Sequence, residues 1–277
     1  MLVFDIEKIK AAFTANEKQY QNASPFPSTF LDDFINEQAA NKALESFPKV
    51  KDAGWIHYMH VNEKKHGLNK RDLLPEPVKE IIDAFNSDEF VKALSQFTGI
   101  PNLIADEMLE GGGLHQTQNK GYLNIHADFT VHPHKPNYKR RVNLILYLNK
   151  NWKPEYGGDL ELWDRKMKAC ESKIAPIFNR AVIFNTDDTS YHGLPDPMTC
   201  PEEVTRKSIA LYYFTEEKEK PKLRTTDYRA RPMDTNKTMI WLDKKAISLY
   251  TKIKRTFGLS DDFISKVLNF FSKRNDQ

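Results

Sequence analysis

The chain has 277 residues, 40% of them hydrophobic and 29% charged, with a formal net charge of +3 at pH 7. That length buries a sizeable core in one large domain or two small ones, and the balance is that of an ordinary globular protein rather than a disordered or fibrous one. So small a net charge gives no reason to expect nucleic acid. The two cysteines, Cys170 and Cys200, form neither a disulfide framework nor a zinc motif. Asp5 and Glu7 lie where a secretory leader needs an apolar core, and no stretch reaches the roughly 20 apolar residues of a membrane span. A reducing, cytoplasmic setting is the expectation.

Residues 4–20 place Phe4, Ile6, Ile9, Phe13 and Tyr20 at helical spacing among charges. Pro25 and Pro27 interrupt the pattern. Phe30, Leu31, Phe34 and Ile35 then recur at helical intervals, in a segment running through Ala40, Ala43 and Leu44 to Phe47 and Pro48. Residues 49–72 read as polar and irregular. Pro75 and Pro77 open a helix with Val78, Ile81, Ile82 and Phe85 on one face, and a second across 88–98 carries Phe90, Val91, Leu94 and Phe97. Residues 1–100 are therefore expected to be a mainly helical N-terminal region that supports the remainder of the fold.

The character changes near Pro101. Short apolar or alternating runs at 103–109, 121–126, 141–149, 158–163, 172–177, 180–185 and 206–214 are separated by turn signals such as Gly111 to Gly113, Gly157 with Gly158, and Gly193 to Pro195. Many short strands at this spacing point to a sandwich or barrel over residues 101–217. Residues 216–236 read as an extended arm, and 237–272 turn helical again. Ser260 with Asp261 and Asp262 suits a helix N-terminus, and Phe263, Ile264, Val267, Leu268 and Phe271 share one face. Residues 218–277 hold fifteen basic and seven acidic side chains, about +8, which leaves about −5 for the rest. This basic arm with its C-terminal helices is expected to pack on the barrel through Trp241, Leu249, Ile253 and Phe257. Contact with an acidic partner or an anionic membrane surface is the competing reading.

The chemistry lies in an ordered set: His126, Asp128, then His192, then Arg206 and Ser208 at the start of an apolar strand. His126 and Asp128 are two apart, so on a strand both point the same way. Two imidazoles and a carboxylate on one face of a metal leave other positions open, which suits non-haem Fe(II) that must bind a co-substrate and O₂. An arginine aimed into a barrel needs an anion, since an unpaired buried charge costs several kcal/mol. A two-pronged carboxylate contact would satisfy Arg206, assisted by Ser208. His132 and His134 flank Pro133 in the loop after Asp128 and are read as a substrate-side rim. His57, His60, His66 and His115 have no partner at metal-ligand spacing.

The stretch 126–214 resembles the catalytic domain of the Fe(II)- and 2-oxoglutarate-dependent oxygenases, the prolyl 4-hydroxylase group in particular. That group has a His-x-Asp pair, a distal histidine and a basic residue for the 2-oxoglutarate C5 carboxylate, matched in order by His126, Asp128, His192 and Arg206. The run from Tyr147 to Trp152 followed by Gly157 and Gly158 is similar to a stretch in prolyl hydroxylases. The match implies that Tyr147 hydrogen-bonds the same carboxylate. The run from Arg206 to Phe214 resembles the closing strand of these enzymes, which implies that Tyr212 lines the pocket near the metal.

The implied fold is a double-stranded β-helix, or jelly roll, mainly β with an N-terminal helical region and a C-terminal helical extension. The implied activity is a dioxygenase using Fe(II), 2-oxoglutarate and O₂, with ascorbate as an optional reductant, that releases succinate and CO₂. The retained Asp128 implies hydroxylation, since related halogenases lack the carboxylate so that halide can bind the iron. The long segment between Asp128 and Arg141, rich in His, Pro and Lys, departs from the group and falls near the site mouth. The substrate is thus left between a prolyl residue of a peptide or protein and a small molecule, lipid or glycan precursor. A jelly-roll module that binds metal or sugar without turnover, and a zinc hydrolase on the same ligands, are the readings from other classes.

Overall fold

The computed structural model of the protein describes residues 2–257. In chain order the elements are α1 (Ile6–Gln21), β1 (Ser28–Leu31), α2 (Glu37–Glu45), β2 (Ile56–His60), β3 (Glu63–Leu68), α3 (Glu76–Asn86), α4 (Asp88–Thr98), β4 (Ile104–Ala105), β5 (Gly113–Thr117), β6 (Tyr122–Ala127), β7 (Tyr138–Tyr147), β8 (Leu160–Trp163), β9 (Cys170–Ile174), β10 (Arg180–Asn185), β11 (His192–Leu194), β12 (Arg206–Glu216), β13 (Asp227–Tyr228) and α5 (Lys237–Phe257). The helices begin where the chemistry asks. Asp5 caps α1 by accepting from the amides of Glu7 and Lys8, and the Ser87 hydroxyl accepts from the Phe90 amide at the start of α4.

The strands form one antiparallel sheet in the order β1-β10-β7-β12-β5-β3-β6-β11-β8-β9, with β13 on β6, β2 on β3 and β4 on β12. The sheet folds over on itself into a nearly closed jelly roll. Tyr147, Val182 and Phe184 of β7 and β10 pack against Leu160, Leu162 and Ile174 of β8 and β9. The alternation of β7 decides both faces. Val142, Leu144 and Leu146 face outward, into one core with Phe13, Ile82, Phe85, Phe90 and Phe97 of the helices. Asn143, Ile145 and Tyr147 are left for the inside. Each of those buried aromatic or aliphatic side chains contributes roughly 1.5–3 kcal/mol, so the helices clamp the wall that carries the inner side chains.

Two segments depart from the sequence reading. Residues 28–31 are not the start of a helix. They form β1, which pairs with β10 at the sheet edge, and the chain becomes helical only at Glu37. Asn179 holds the intervening turn: its side chain accepts from the Ile35 amide at 3.1 Å and donates to the Ile35 carbonyl at 2.8 Å. A short apolar run fits either periodicity, and here the free backbone groups of an edge strand decided. Residues 49–72 are not irregular either. β3 sits where the sheet turns over, paired to β2, β5 and β6. It lacks an apolar alternation because Glu63 and Lys65 face the interior of the barrel.

The arm at 216–236 contains β13, and α5 follows it. Of the α5 side chains described, Ile240 alone is buried; Met239, Trp241, Leu242 and Leu249 are exposed. The broad apolar packing expected of this helix is thus not present over its described part. The helix is tied instead by polar contacts from Asp243 to His60 at 2.9 Å and from the Asn62 amide to Asp243 at 2.5 Å. The expected face at Phe263, Ile264, Val267, Leu268 and Phe271, like Ser260 to Asp262, lies outside the described residues. Among the described residues no helix is long and apolar enough to cross a membrane.

Candidate metal centre and co-substrate pocket

β6 ends at Ala127, which carries His126 and Asp128 to the rim with side chains on the same side. β11 pairs with β6 so that His192 stands directly opposite His126. The distal histidine is therefore at the start of a short strand. Gly193 permits this approach. A Cβ there would lie 2.7 Å from the Leu123 carbonyl oxygen and 3.0 Å from that of Asn124. One ligand atom from each of His126, Asp128 and His192 lies within 4.8 Å of the others, and all three side chains are buried. Among the described residues this is the one such group.

The donor atoms are prepared. His126 Nδ1 donates to the Asn124 carbonyl at 2.9 Å, and His192 Nδ1 donates to the Ser190 carbonyl at 2.9 Å. Each Nε2 is thereby left with its lone pair facing the carboxylate, which is the orientation a metal needs. Burial pushes the His192 imidazole down to about 4, so it is neutral at pH 7, although Asp128 pulls the other way. Burial raises the Asp128 carboxyl, but the Arg140 guanidinium together with His192 and His126 more than offsets it. The group is held well below the usual carboxylate range and stays ionised.

Arg140 and Asn143 are functional residues that sequence reasoning missed. Arg140 contacts Asp128 Oδ2 at 3.1 Å, and Asn143 Nδ2 donates to the same oxygen at 2.9 Å. Arg140 also donates to Asn143 Oδ1 from Nε and Nη2, and its guanidinium lies 3.3 Å from the Tyr212 ring centroid. Three residues apart on a regular strand, Arg140 and Asn143 would face opposite sides. The register of β7 against β12 shifts between Val142 and Arg140, so Arg141 is an extra residue. That bulge brings both side chains to the carboxylate.

Arg206 opens β12. Its Nε donates to the Gly158 carbonyl at 2.8 Å and its Nη2 donates to the Tyr147 hydroxyl at 2.9 Å. The side chain is buried, and among the described residues no carboxylate pairs with it. Gly158, at φ +76°, lets the backbone close on Arg206, whose Cδ is 3.1 Å from where a Cβ would stand. Ser208 is buried opposite Tyr147 on one side and His115 on the other. Tyr212 shares this face two positions beyond Ala210. Its hydroxyl donates to the Gly111 carbonyl at 2.8 Å, and its ring lies against the Arg140 guanidinium. This inner wall therefore presents a buried cation that has lost its water without gaining a protein anion, beside a tyrosine hydroxyl whose own proton is free to donate. A carboxylate of the co-substrate fits that pair.

Three more side chains complete the wall, and none carried a sequence signal. Burial, then the Lys65 charge, pushes His115 down to about 3, and its Nε2 donates to the Gly111 carbonyl at 3.1 Å. Lys65 is braced by Glu63 at 3.3 Å. Tyr228 stands opposite His126 across β13 and β6, its ring 5.6 Å away and its hydroxyl donating to Glu63 at 3.2 Å. The loop histidines are structural pairs. His132 is fully enclosed, accepts at Nδ1 from the amides of His134 and Lys135, and meets Asp106 at 3.2 Å. It does not form a substrate-side rim. His134 is exposed and bonded to Glu110 at 3.1 Å. His57 pairs with His66 at 2.7 Å.

The fold and this triad define a jelly-roll protein with one candidate metal centre among the described residues. Residues 112–214 match the 2OG-Fe(II) oxygenase superfamily. The chain is 23% identical over 196 residues to the human prolyl hydroxylase EGLN3, covering 68% of this chain and 78% of that protein. It is 30% identical over 79 residues to the mouse prolyl 3-hydroxylase OGFOD1, where the match spans 27% of this chain and only 14% of that protein. Among solved structures it is similar to a prolyl hydroxylase from Trichoplax adhaerens, in complex with a hypoxia inducible factor oxygen degradation domain peptide fragment. That match has a TM-score of 0.56 and 18% identity, and covers 76% of this chain and 91% of the other. A prolyl-4-hydroxylase from Pseudomonas putida matches with a TM-score of 0.54 and 15% identity, over 75% of this chain and 100% of the other. Residues 112–214 thus carry the match to the 2OG-Fe(II) oxygenase superfamily, and the chain is prolyl hydroxylase-like in its distant relatives and fold. Its family and its His-Asp-His triad imply Fe(II) and 2-oxoglutarate as cofactors.

Proposed function

We propose that this oxygenase hydroxylates a residue of a peptide or protein, with a prolyl residue as the first candidate. His126, Asp128 and His192 would hold Fe(II), and Arg206 with Tyr147 would hold the distal carboxylate of 2-oxoglutarate, with Ser208 beside them. When bound, that group supplies the oxidising power: 2-oxoglutarate leaves as succinate and CO₂, and one oxygen atom of O₂ enters a substrate C–H bond. The chain's own part is to bind, orient and exclude water. Arg140 and Asn143 keep the Asp128 carboxylate ionised and fixed in place. The two backbone carbonyls keep each imidazole turned inward. Phe184, with its ring 4.7 Å from that of His192, lines the site with Val182 and Leu162 as an apolar wall.

The observation that carries this reading is the buried Arg206–Tyr147 pair, a carboxylate receptor on the same inner wall as the metal ligands. A zinc hydrolase or a sugar-binding jelly roll gives that receptor nothing to hold. The retained Asp128 supports hydroxylation, and the prolyl hydroxylase relatives support a peptide substrate. The test measures succinate release with Fe(II), with Zn(II) and with no metal, then screens proline-containing peptides for the mass of one added oxygen atom. Fe(II)-dependent succinate with an oxidised peptide supports the reading. Turnover with zinc in the absence of O₂ would overturn it, and oxidation confined to small molecules would overturn the peptide assignment.

A further inference from the structure

Behind the wall that carries His126 lies a second cavity, between the turn at 165–167, the arm at 228–232 and α5. It has a volume of about 590 Å³. Six cations line it, Arg165, Lys166, Arg229, Arg231, Lys237 and Lys244, and no carboxylate residue is among its lining. Acids brace four of the six. Asp187 holds Arg165 at 2.6 Å, Asp227 holds Arg229 at 2.9 Å and also Lys244, and Asp196 and Asp234 hold Arg231 at 2.8 and 3.0 Å. Lys166 and Lys237 pair with no carboxylate among the described residues, and Lys237 Nζ donates only to the Pro232 carbonyl, at 2.7 Å. A braced guanidinium loses less freedom when it binds an anion, and two unpaired amines leave the cavity net positive.

Aromatic groups join this cavity to the catalytic site. Tyr228 lines it while lying 5.6 Å from the His126 ring. Tyr191 lines it too, under the Arg229 guanidinium at 5.7 Å, and is the residue before His192. Trp241 forms part of the outer lip and is half-exposed. A site so concave, cationic and aromatic-edged suits a short anionic segment with some side-chain bulk better than a flat surface.

We propose that this cleft is a docking subsite for an acidic stretch of the polypeptide substrate, holding Asp or Glu side chains while another part of the same chain reaches the metal centre. The proposal rests on the peptide reading above and adds to it the charge of the substrate. Selectivity would then come from the arm and α5, outside the family-matching residues 112–214, together with Arg165 and Lys166 from within them.

The test uses the full chain and three labelled peptides with one proline each, followed by a run of Glu, of Gln or of Lys, with binding read by fluorescence anisotropy. At low salt the Glu peptide is expected to bind about tenfold or more tighter than the Gln peptide, and the difference shrinks at high salt as the Debye length falls to about 3 Å. Lys166→Glu combined with Lys237→Glu, both on exposed positions, removes the preference. His192→Ala keeps it, because the cleft does not need the metal ligands. Equal affinity for the Glu and Gln peptides overturns the proposal, as does a preference that survives the double charge reversal. Binding to phosphatidylserine vesicles, lost in the double variant and accompanied by no Glu preference, overturns it in favour of a membrane surface. A Glu preference in a chain that oxidises no peptide leaves an acidic-peptide cleft standing and sinks the peptide-substrate reading. Peptide oxidation with no charge preference does the reverse.

Discussion

Replacing Arg206 by methionine tests the co-substrate pocket most directly. The side chain makes two hydrogen bonds in the structure, to the Gly158 carbonyl and the Tyr147 hydroxyl, and its charge is unmatched by any carboxylate of the described residues. Methionine keeps the apolar stem in place and removes the cation. A charge-assisted contact to a carboxylate is worth about 1.5–3 kcal/mol, so the apparent KM for 2-oxoglutarate should rise roughly ten- to a hundredfold. The protein should lose little stability, because the variant also removes a buried charge that costs several kcal/mol to desolvate. Tyr147→Phe alone should cost about 1 kcal/mol. The two residues share a hydrogen bond, so the double variant should fall short of the sum by about 0.5 kcal/mol or more. Succinate release against 2-oxoglutarate concentration gives KM, and a melting curve separates binding from folding. An unchanged KM with normal melting would sink the assignment and move the anchor elsewhere on the inner wall.

Alanine at His126, Asp128 or His192 should abolish Fe(II) binding and succinate release while the melting temperature changes little; near wild-type turnover in any of the three removes that residue from the ligand set. Gly193→Ala should cost about 1–3 kcal/mol through the clash with Leu123, and should weaken metal binding by displacing His192, both read from one melting series with and without Fe(II). His60 supplies the pH dependence. Burial lowers its pKa, but the hydrogen bonds it donates to Asp243 and Glu63 outweigh this and raise it to about 9. Its stabilising contribution is therefore fully present below the unfolded value near 6.5 and is lost as pH rises through about 9. His60→Gln should flatten the fall in stability across that window, by at most about 3 kcal/mol, and an unchanged slope in urea titrations would show that this cluster does not anchor α5.

The chemistry is legible in the sequence because it is written in local terms. His126 and Asp128 need only a strand to point together, and the apolar alternation of β7 and β12 announces strands. The amphipathic faces of α3 and α4 are equally plain, since each helix must cover one stripe of the core. The number and spacing of the strands give a sandwich or barrel, and the jelly roll follows from the resemblance. The segments at 28–35 and 49–72 mislead because their order comes from partners far along the chain. β1 exists because β10 offers an edge, and β3 because β5 and β6 flank it; its polar residues look irregular until the barrel interior is known to be polar. Arg140 and Asn143 are hidden for a sharper reason. A strand's two-residue period puts them on opposite faces, and only the bulge at Arg141, set by the pairing with β12, turns both toward Asp128. Ligand types, their order and the class of chemistry are thus fixed along the chain, because they depend on residue identity and short-range geometry. The charges around those ligands are fixed only on folding: the Arg140 clamp, the inward Glu63 and Lys65, and the basic cleft beside Tyr228 all depend on contacts that no local period encodes.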